Sequence, residues 1–223
     1  LTLRPEGTAP TVRAFLENRL WSQTLPQKLY YLGPMFRYGR PQAGRYRQFH
    51  QFGVEAIGSN DPALDAEIIS FAMDFYCRLG LKNLTLLLNS VGCPKCRQIH
   101  RQHLIKYFEP MVSDLCKTCQ NRFDRNPLRI FDCKSPGCQE MAQAAPTITE
   151  NLCSECTHHF EKVQEYLRVL GVDYKLDPYL VRGLDYYTQT VFEILVEGIG
   201  SQSAIGGGGR YNDLTGIFGL KNM

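Results

Sequence analysis

Apolar residues recur along this chain with two periods, and the switches between them divide it into elements. Val12, Phe15, Leu16 and Leu20 stand at helical spacing behind "PEGT". This predicts a turn running into a helix, with Thr8 as N-cap and Pro10 near the first turn, where a missing N–H costs nothing. "LTLR", just before, reads as the end of a strand. "KLYYLGPMFRY" and "RYRQFHQFGVEAIG" are strand-like runs, and the glycines and proline of "GRPQAG" join them as a hairpin. In "DPALDAEIISFAMDFYCRLG", Asp61 caps a helix, Pro62 fits its first position and Gly80 ends it, while Ala63, Leu64, Ile68, Phe71, Ala72 and Phe75 supply the stripe. Cys77 reads as core on that helix. "NLTLLLNS" is a buried strand, and from Cys93 to about Leu170 the pattern gives way to short helices and loops. Strand character returns with "DYKLDPYLVRGLDYYTQTVFEILV" and "SAIGGGGRYNDL". The expected organisation is α+β: a first part of an antiparallel-sheet core over 1–90, a cysteine-rich, mainly helical insertion over 91–170, and the second part of the core over 171–223.

Composition changes this picture little. At 223 residues and 43% hydrophobic, the chain can bury a real core. No apolar run approaches the ~20 residues of a membrane helix, and no signal-peptide pattern opens the sequence, so no membrane partner is expected and the cytoplasm is the expected location. A net charge of +3 is too small to argue for nucleic acid, but residues 1–57 carry eight Lys/Arg against three Asp/Glu, so the positive excess is local. The abrupt start at Leu1 and the stop at "GIFGLKNM" read as a fragment of a longer protein.

Eight of the nine cysteines lie in the insertion: Cys93/Cys96, Cys116/Cys119 and Cys153/Cys156 as Cys-x-x-Cys pairs, and Cys133/Cys138 as a looser one. Nineteen residues separate the first pair from the second, a zinc-ribbon spacing, and fourteen separate the third from the fourth. Chain order therefore pairs Cys93, Cys96, Cys116 and Cys119 as one candidate zinc site, and Cys133, Cys138, Cys153 and Cys156 as another. Disulfides are rare in the cytoplasm, which leaves one or two structural Zn²⁺ ions or reduced thiols as the alternatives.

The hairpin carries the chemistry. Between Phe36 and Phe52 four arginines and a histidine are interleaved with five aromatic rings, as in an RNA-binding patch, a nucleotide site or a solvated hairpin. A period of two separates these. Arg45, Arg47, Phe49, Gln51, Gly53 and Glu55 share one face, and Tyr46, Gln48, His50, Phe52 and Val54 the other. A ring, guanidiniums, an amide and a carboxylate side by side could stack a base, hold phosphates and bind a polar cationic ligand. RNA binding alone does not need Gln51 and Glu55 on that face.

"LTLRPEGT", "GPMFRYGRPQAGRYRQFHQFGVE", "VRGLDYYTQTVFE" and "GGGGRYNDL", in that order and across nearly the whole chain, resemble the histidyl-tRNA synthetase family of class II aminoacyl-tRNA synthetases. The resemblance implies an antiparallel six-stranded sheet flanked by helices, activation of L-histidine by ATP with Mg²⁺, transfer of the histidyl group to tRNA(His), and a homodimer as the full-length protein. By position, Glu6, Gly7, Thr8 and Gln51 resemble the residues around the substrate amino group, Glu55 the carboxylate that reads the imidazole, and Tyr186, Tyr187 and Tyr211 further histidine contacts. Arg37 resembles the arginine on the α-phosphate, Arg45 the one nearer the γ-phosphate and Phe49 the ring on adenine. Arg182 resembles the catalytic arginine at the reacting phosphorus.

Attack of a carboxylate on an α-phosphate brings two anions together, so cations on both sides of the phosphorus, Arg37 and Arg182, lower the barrier. Gly39 departs from the family's Phe-Arg-x-Glu pattern, and losing that charge-assisted contact would cost ATP binding about 1 to 3 kcal/mol. The upstream dimer motif, the downstream ATP arginine and the anticodon-binding domain are outside the sequence, so the fragment alone is expected to be weakly active or inactive. Two rival readings are a non-catalytic, histidine-binding regulatory subunit of histidine biosynthesis and a zinc-dependent RNA-binding module. The first rival tends to lose the arginine and pocket residues that stand here as Arg182, Gln51 and Glu55.

Overall fold

The computed structural model describes residues 2–39, 46–197 and 204–219. Helix α1 spans Thr8–Glu17, and it is followed by the antiparallel pair β1, Gln27–Phe36, and β2, Gln48–Ile57. "LTLR" is not a strand; Arg4 contributes one carbonyl, which accepts from the amide of Phe36 at 2.9 Å. Thr8 is the first helical residue rather than the cap, and the carboxylate of Glu6 does the capping instead, accepting from the amides of Thr8 at 2.7 Å and Ala9 at 3.0 Å. The loop expected at "GRPQAG" lies, beyond Gly39, outside the described residues, as does Arg45.

Helix α2, Pro62–Arg78, starts as the sequence demands, with the Asp61 side chain accepting from the amide of Ala63 at 2.8 Å. Its stripe is rotated from the expected one: Leu64, Ala66 and Ile69 are buried, whereas Phe71 and Cys77 are exposed. The helix lies on the sheet through a narrow line of contact, so the far side of a wide apolar stripe stays in water.

The second sheet has the order β4-β3-β5-β6, with β3 at Leu84–Ser90, β4 at Lys175–Leu176, β5 at Thr188–Val196 and β6 at Ala204–Arg210. β3 pairs with β5 and β5 with β6 antiparallel, while the short β4 runs parallel to β3. The antiparallel sheet flanked by helices is present. Its six strands form two hydrogen-bonded sheets among the described residues rather than one, because the β1–β2 hairpin meets its neighbours through side chains. Val12 and Phe15 of α1 pack with Ile57 of β2 and Leu214 of the short C-terminal helix α7, Leu214–Ile217.

Between β3 and β4 lie α3, Pro94–Phe108, α4, Lys117–Arg125, α5, Pro136–Gln143, and α6, Ser154–Val169. Two of these four helices are long, not short as the sequence suggests. Phe160, Val163 and Leu167 of α6 join Ala66 and Ile69 of α2 over Leu86, Leu88, Phe192 and Ile194 of the sheet, in the largest part of the core. Each such apolar side chain contributes about 1.5 to 3 kcal/mol. The rest of the insertion has its own core around Leu104, Phe108, Leu115 and Ile130.

Candidate active site

One cleft gathers residues from parts distant in the chain: Pro5, Glu6 and Thr8, β1, β2, α2, residues 182–187 and β5–β6. Its floor is acidic. Glu55 on β2 is 6% exposed, accepts from the Thr8 hydroxyl at 2.7 Å and takes a short hydrogen bond from the Tyr211 hydroxyl. Burial raises its carboxyl to about 7, against the pull of the Tyr211 and Thr8 hydrogen bonds. Glu6, 8% exposed, is held by the amides at the α1 start and accepts from the Tyr186 hydroxyl at 3.4 Å. Tyr186 stacks obliquely on Tyr187 at 4.8 Å between centroids and meets the edge of Tyr211 at 6.0 Å.

Burial along β2 follows the period of two, with Phe49, Gln51 and Gly53 half-buried, Glu55 buried and Gln48, His50 and Phe52 exposed, but His50, Phe52 and Val54 of the other face border the same cleft and Arg47 is exposed. The side-chain oxygen Oε1 of Gln51 is buried with no hydrogen-bond partner among the described residues. An unfilled acceptor of this kind costs about 1 to 3 kcal/mol, which a ligand N–H recovers.

Gly7 does not line the cleft. A Cβ there would stand 2.2 Å from Cε2 of Tyr31, and one on Gly53 would stand 2.1 Å from the same ring at Cζ. Tyr31 therefore fills the space that these two glycines leave, next to Thr8 and Glu55. The sequence reading missed Tyr31, although it shares the period-two face of β1 with Gly33 and Met35 and stands opposite Gly53 in the register.

The cationic side is built from two directions. Arg37, just past the end of β1, donates from Nε to the carbonyl of Pro5 at 2.7 Å, and its Cζ stands 4.9 Å from the centre of the Phe49 ring. Arg182 comes from the opposite wall, where it makes a short hydrogen-bonded ion pair with Glu193 of β5. Gly207 permits this, since a Cβ there would stand 2.9 Å from Cζ of Arg182. Nε of Arg182 is buried without a partner among the described residues, so the cleft holds an unfilled donor as well as an unfilled acceptor. Glu193 also escaped the sequence reading; its signal was one charge in the apolar run "VFEILV". Gly39 borders the cleft with open space where its side chain would be.

A family profile described as the tRNA synthetase class II core domain (G, H, P, S and T) matches residues 1–220. The chain belongs to this family. As a class II core domain it is 67% identical over 223 residues, all of its length, to a histidine–tRNA ligase of Moorella thermoacetica, and 65% identical over 214 residues to that of Desulforamulus reducens. It covers 53% and 51% of those proteins, so the chain spans about half the length of the curated relatives it matches. Apo S. aureus histidyl-tRNA synthetase is a structural relative at a TM-score of 0.74 and 44% identity, covering 96% of this chain and 51% of that one. A Bacillus halodurans protein described as an ATP phosphoribosyltransferase regulatory subunit/histidyl-tRNA synthetase shares the fold at a TM-score of 0.64 and 24% identity, over 98% of this chain and 60% of that one.

The insertion of this class II core domain brings the cysteines together in a grouping that chain order does not give. Cys93 and Cys96 meet Cys153 and Cys156, while Cys116 and Cys119 meet Cys133 and Cys138, with the sulfur atoms of each set within 4.8 Å of one another. The outer pairs enclose the inner ones because α3 leaves and α6 re-enters the sheet domain at adjacent points. A tetrahedral Zn²⁺ with bonds of about 2.3 Å sets its sulfurs roughly 3.8 Å apart. The sulfurs of Cys93 and Cys96 are 3.5 Å apart, and those of Cys116 and Cys133 are 3.8 Å apart. Backbone amides already point at the sulfurs: Cys153 to Cys96 at 3.1 Å, and Cys116 to Cys138 at 3.3 Å.

Proposed function

We propose that the protein to which this chain belongs is a histidine–tRNA ligase. It activates L-histidine with the ATP–Mg²⁺ complex to histidyl-adenylate and diphosphate, then transfers the histidyl group to tRNA(His), releasing AMP. The observation that carries this reading is the division of one cleft into an acidic, hydrogen-bond-accepting floor of Glu6, Gln51 and Glu55 and a cationic side of Arg37 and Arg182. Histidine's amino group and imidazole N–H supply donors for the floor. The reacting carboxylate and α-phosphate then fall between the two guanidiniums, which offset the charge that builds at phosphorus. Phe49 offers a ring for adenine, and Arg45 would add a cation toward the γ-phosphate. Discrimination follows from burial, because an amino acid without a ring N–H adds no donor to a buried Glu55 that has only the Thr8 and Tyr211 hydroxyls.

In the same reading Tyr186, Tyr187 and Tyr211 wall the histidine side, the full-length protein is a homodimer, and it works in the cytoplasm. No helix among the described residues is long and apolar enough to cross a membrane. The expected division at 1–90, 91–170 and 171–223 becomes a proposal that the insertion is a separable unit whose last helix, α6, is shared with the core. Each four-cysteine set would hold one structural Zn²⁺, closing four-coordinate sites that leave no position for catalysis.

Histidine-dependent ATP–diphosphate exchange by the full-length protein is the test. Exchange with histidine and not with other amino acids is expected. Histidine binding with no exchange would overturn the reading in favour of the regulatory subunit.

A further inference from the structure

Residues 181–187 carry Arg182, Tyr186 and Tyr187 into the cleft, yet no helix or strand covers them. Glu193 and Glu6 hold the side chains of Arg182 and Tyr186, while hydrogen bonds from the insertion hold the backbone at Asp185 and Tyr187. Arg97, the residue after Cys96, donates from one guanidinium nitrogen to the carbonyls of Asp185 at 3.3 Å and Tyr187 at 3.2 Å. Asn126, at the end of α4, donates to the Asp185 carboxylate at 3.2 Å. Gly92, one residue before Cys93, exchanges its carbonyl with the amide of Gln189 at 2.9 Å, and Val91 donates to the Gln189 carbonyl at 2.7 Å.

Arg97 stands in the first turn of α3, and that turn meets the start of α6 where Cys93 and Cys96 come together with Cys153 and Cys156. α6 is fixed in turn, through Phe160, Val163 and Leu167, on the sheet. We infer that a metal ion bound by Cys93, Cys96, Cys153 and Cys156 locks the start of α3 to the start of α6, and that Arg97 passes this rigidity to residues 182–187. Arg97 is a positioning residue. It reaches the substrate pocket through the backbone of Asp185 and Tyr187 and touches no substrate itself. The second set, Cys116, Cys119, Cys133 and Cys138, lies within the insertion's own core and reaches the same loop through the Asn126 side chain at the end of α4.

The substrate side of this inference rests on the histidine-activating reading, whereas the metal and the rigidity do not. The test uses the full-length protein with zinc added during expression. Metal content is measured on wild type, Cys153→Ser/Cys156→Ser and Arg97→Ala, together with amide hydrogen exchange of the peptide spanning 182–187 and the KM for histidine. Wild type is expected to hold two equivalents per chain, and the double cysteine variant one fewer. Both variants should exchange the 182–187 amides faster and raise the histidine KM about tenfold. Arg97→Ala should do so while keeping all its metal. If the cysteine variant does not fold, stripping wild type with a chelator and reading the same peptide replaces it. Unchanged metal content in the cysteine variant or the stripped protein overturns the site. Unchanged amide exchange in Arg97→Ala overturns the coupling, and both results stand whether or not the protein activates histidine.

Discussion

Arg182 is ion-paired with Glu193 of β5, and its guanidinium stands over the bare backbone of Gly207, where a Cβ would come within 2.9 Å of Cζ. Neither partner is deeply buried, at 23% and 25% side-chain exposure, so the contact matters for where Arg182 points more than for stability. Glu193→Gln should lower kcat for adenylate formation about tenfold and leave histidine KM near wild type, while Arg182→Ala should cost roughly a hundred- to a thousandfold. Pre-steady-state adenylate formation by the full-length protein reads both. Equal losses in the two variants would mean that Glu193 does more than orient its partner.

Among the described residues, no atom stands within 4 Å of where a Gly39 side chain would begin beside the cleft. Gly39→Glu should restore the charge-assisted contact of the family pattern and lower the KM for ATP about tenfold, with histidine KM unchanged. Exchange kinetics at varied ATP provide the check.

Glu55 makes the free protein's stability depend on pH in a direction opposite to that of an ordinary paired carboxylate. Its carboxyl is raised to about 7 from 4.5 by burial, so the folded state keeps a proton that the unfolded chain has already lost. Stability is complete below about 4.5 and falls as pH rises through 7, by on the order of 3 kcal/mol. Glu55→Gln should flatten that part of the urea-denaturation profile, and saturating histidine should reduce the slope in the wild type.

Asp65 lies at the centre of a buried network, accepting from His159 at 2.8 Å, Thr190 at 2.6 Å and Arg210 at 2.7 Å. Burial would raise its carboxyl, but the His159 and Arg210 contacts win and hold it below the usual range. Arg210 is 8% exposed, so Asp65→Ala leaves a buried cation without its partner and should destabilise the fold by about 3 to 5 kcal/mol. Thermal and denaturant melts will show whether the loss reaches that size.

Much of the site was legible in one dimension because β2 is half-buried. On such a strand, alternation alone sorts Phe49, Gln51 and Glu55 from His50 and Phe52, and the structure keeps that sorting. The Asp61 cap of α2 was legible for a similar reason, since capping is settled within two residues. Tyr31 and Glu193 were not, because their roles depend on contacts that a period does not give: Gly53 across the hairpin, and Arg182 on the irregular segment before β5.

The sequence by itself determined the hairpin strands, the start of α2 and the residues that can offer charge to a ligand, because these follow from local periodicity and side-chain chemistry. Tertiary structure decided which residues meet. Chain order paired Cys93 and Cys96 with Cys116 and Cys119, but the fold paired them with Cys153 and Cys156, since the two ends of an inserted segment must return to the same place on the sheet. The same closure set Arg97 beside Tyr187, ninety residues away, a contact that no spacing along the chain encodes.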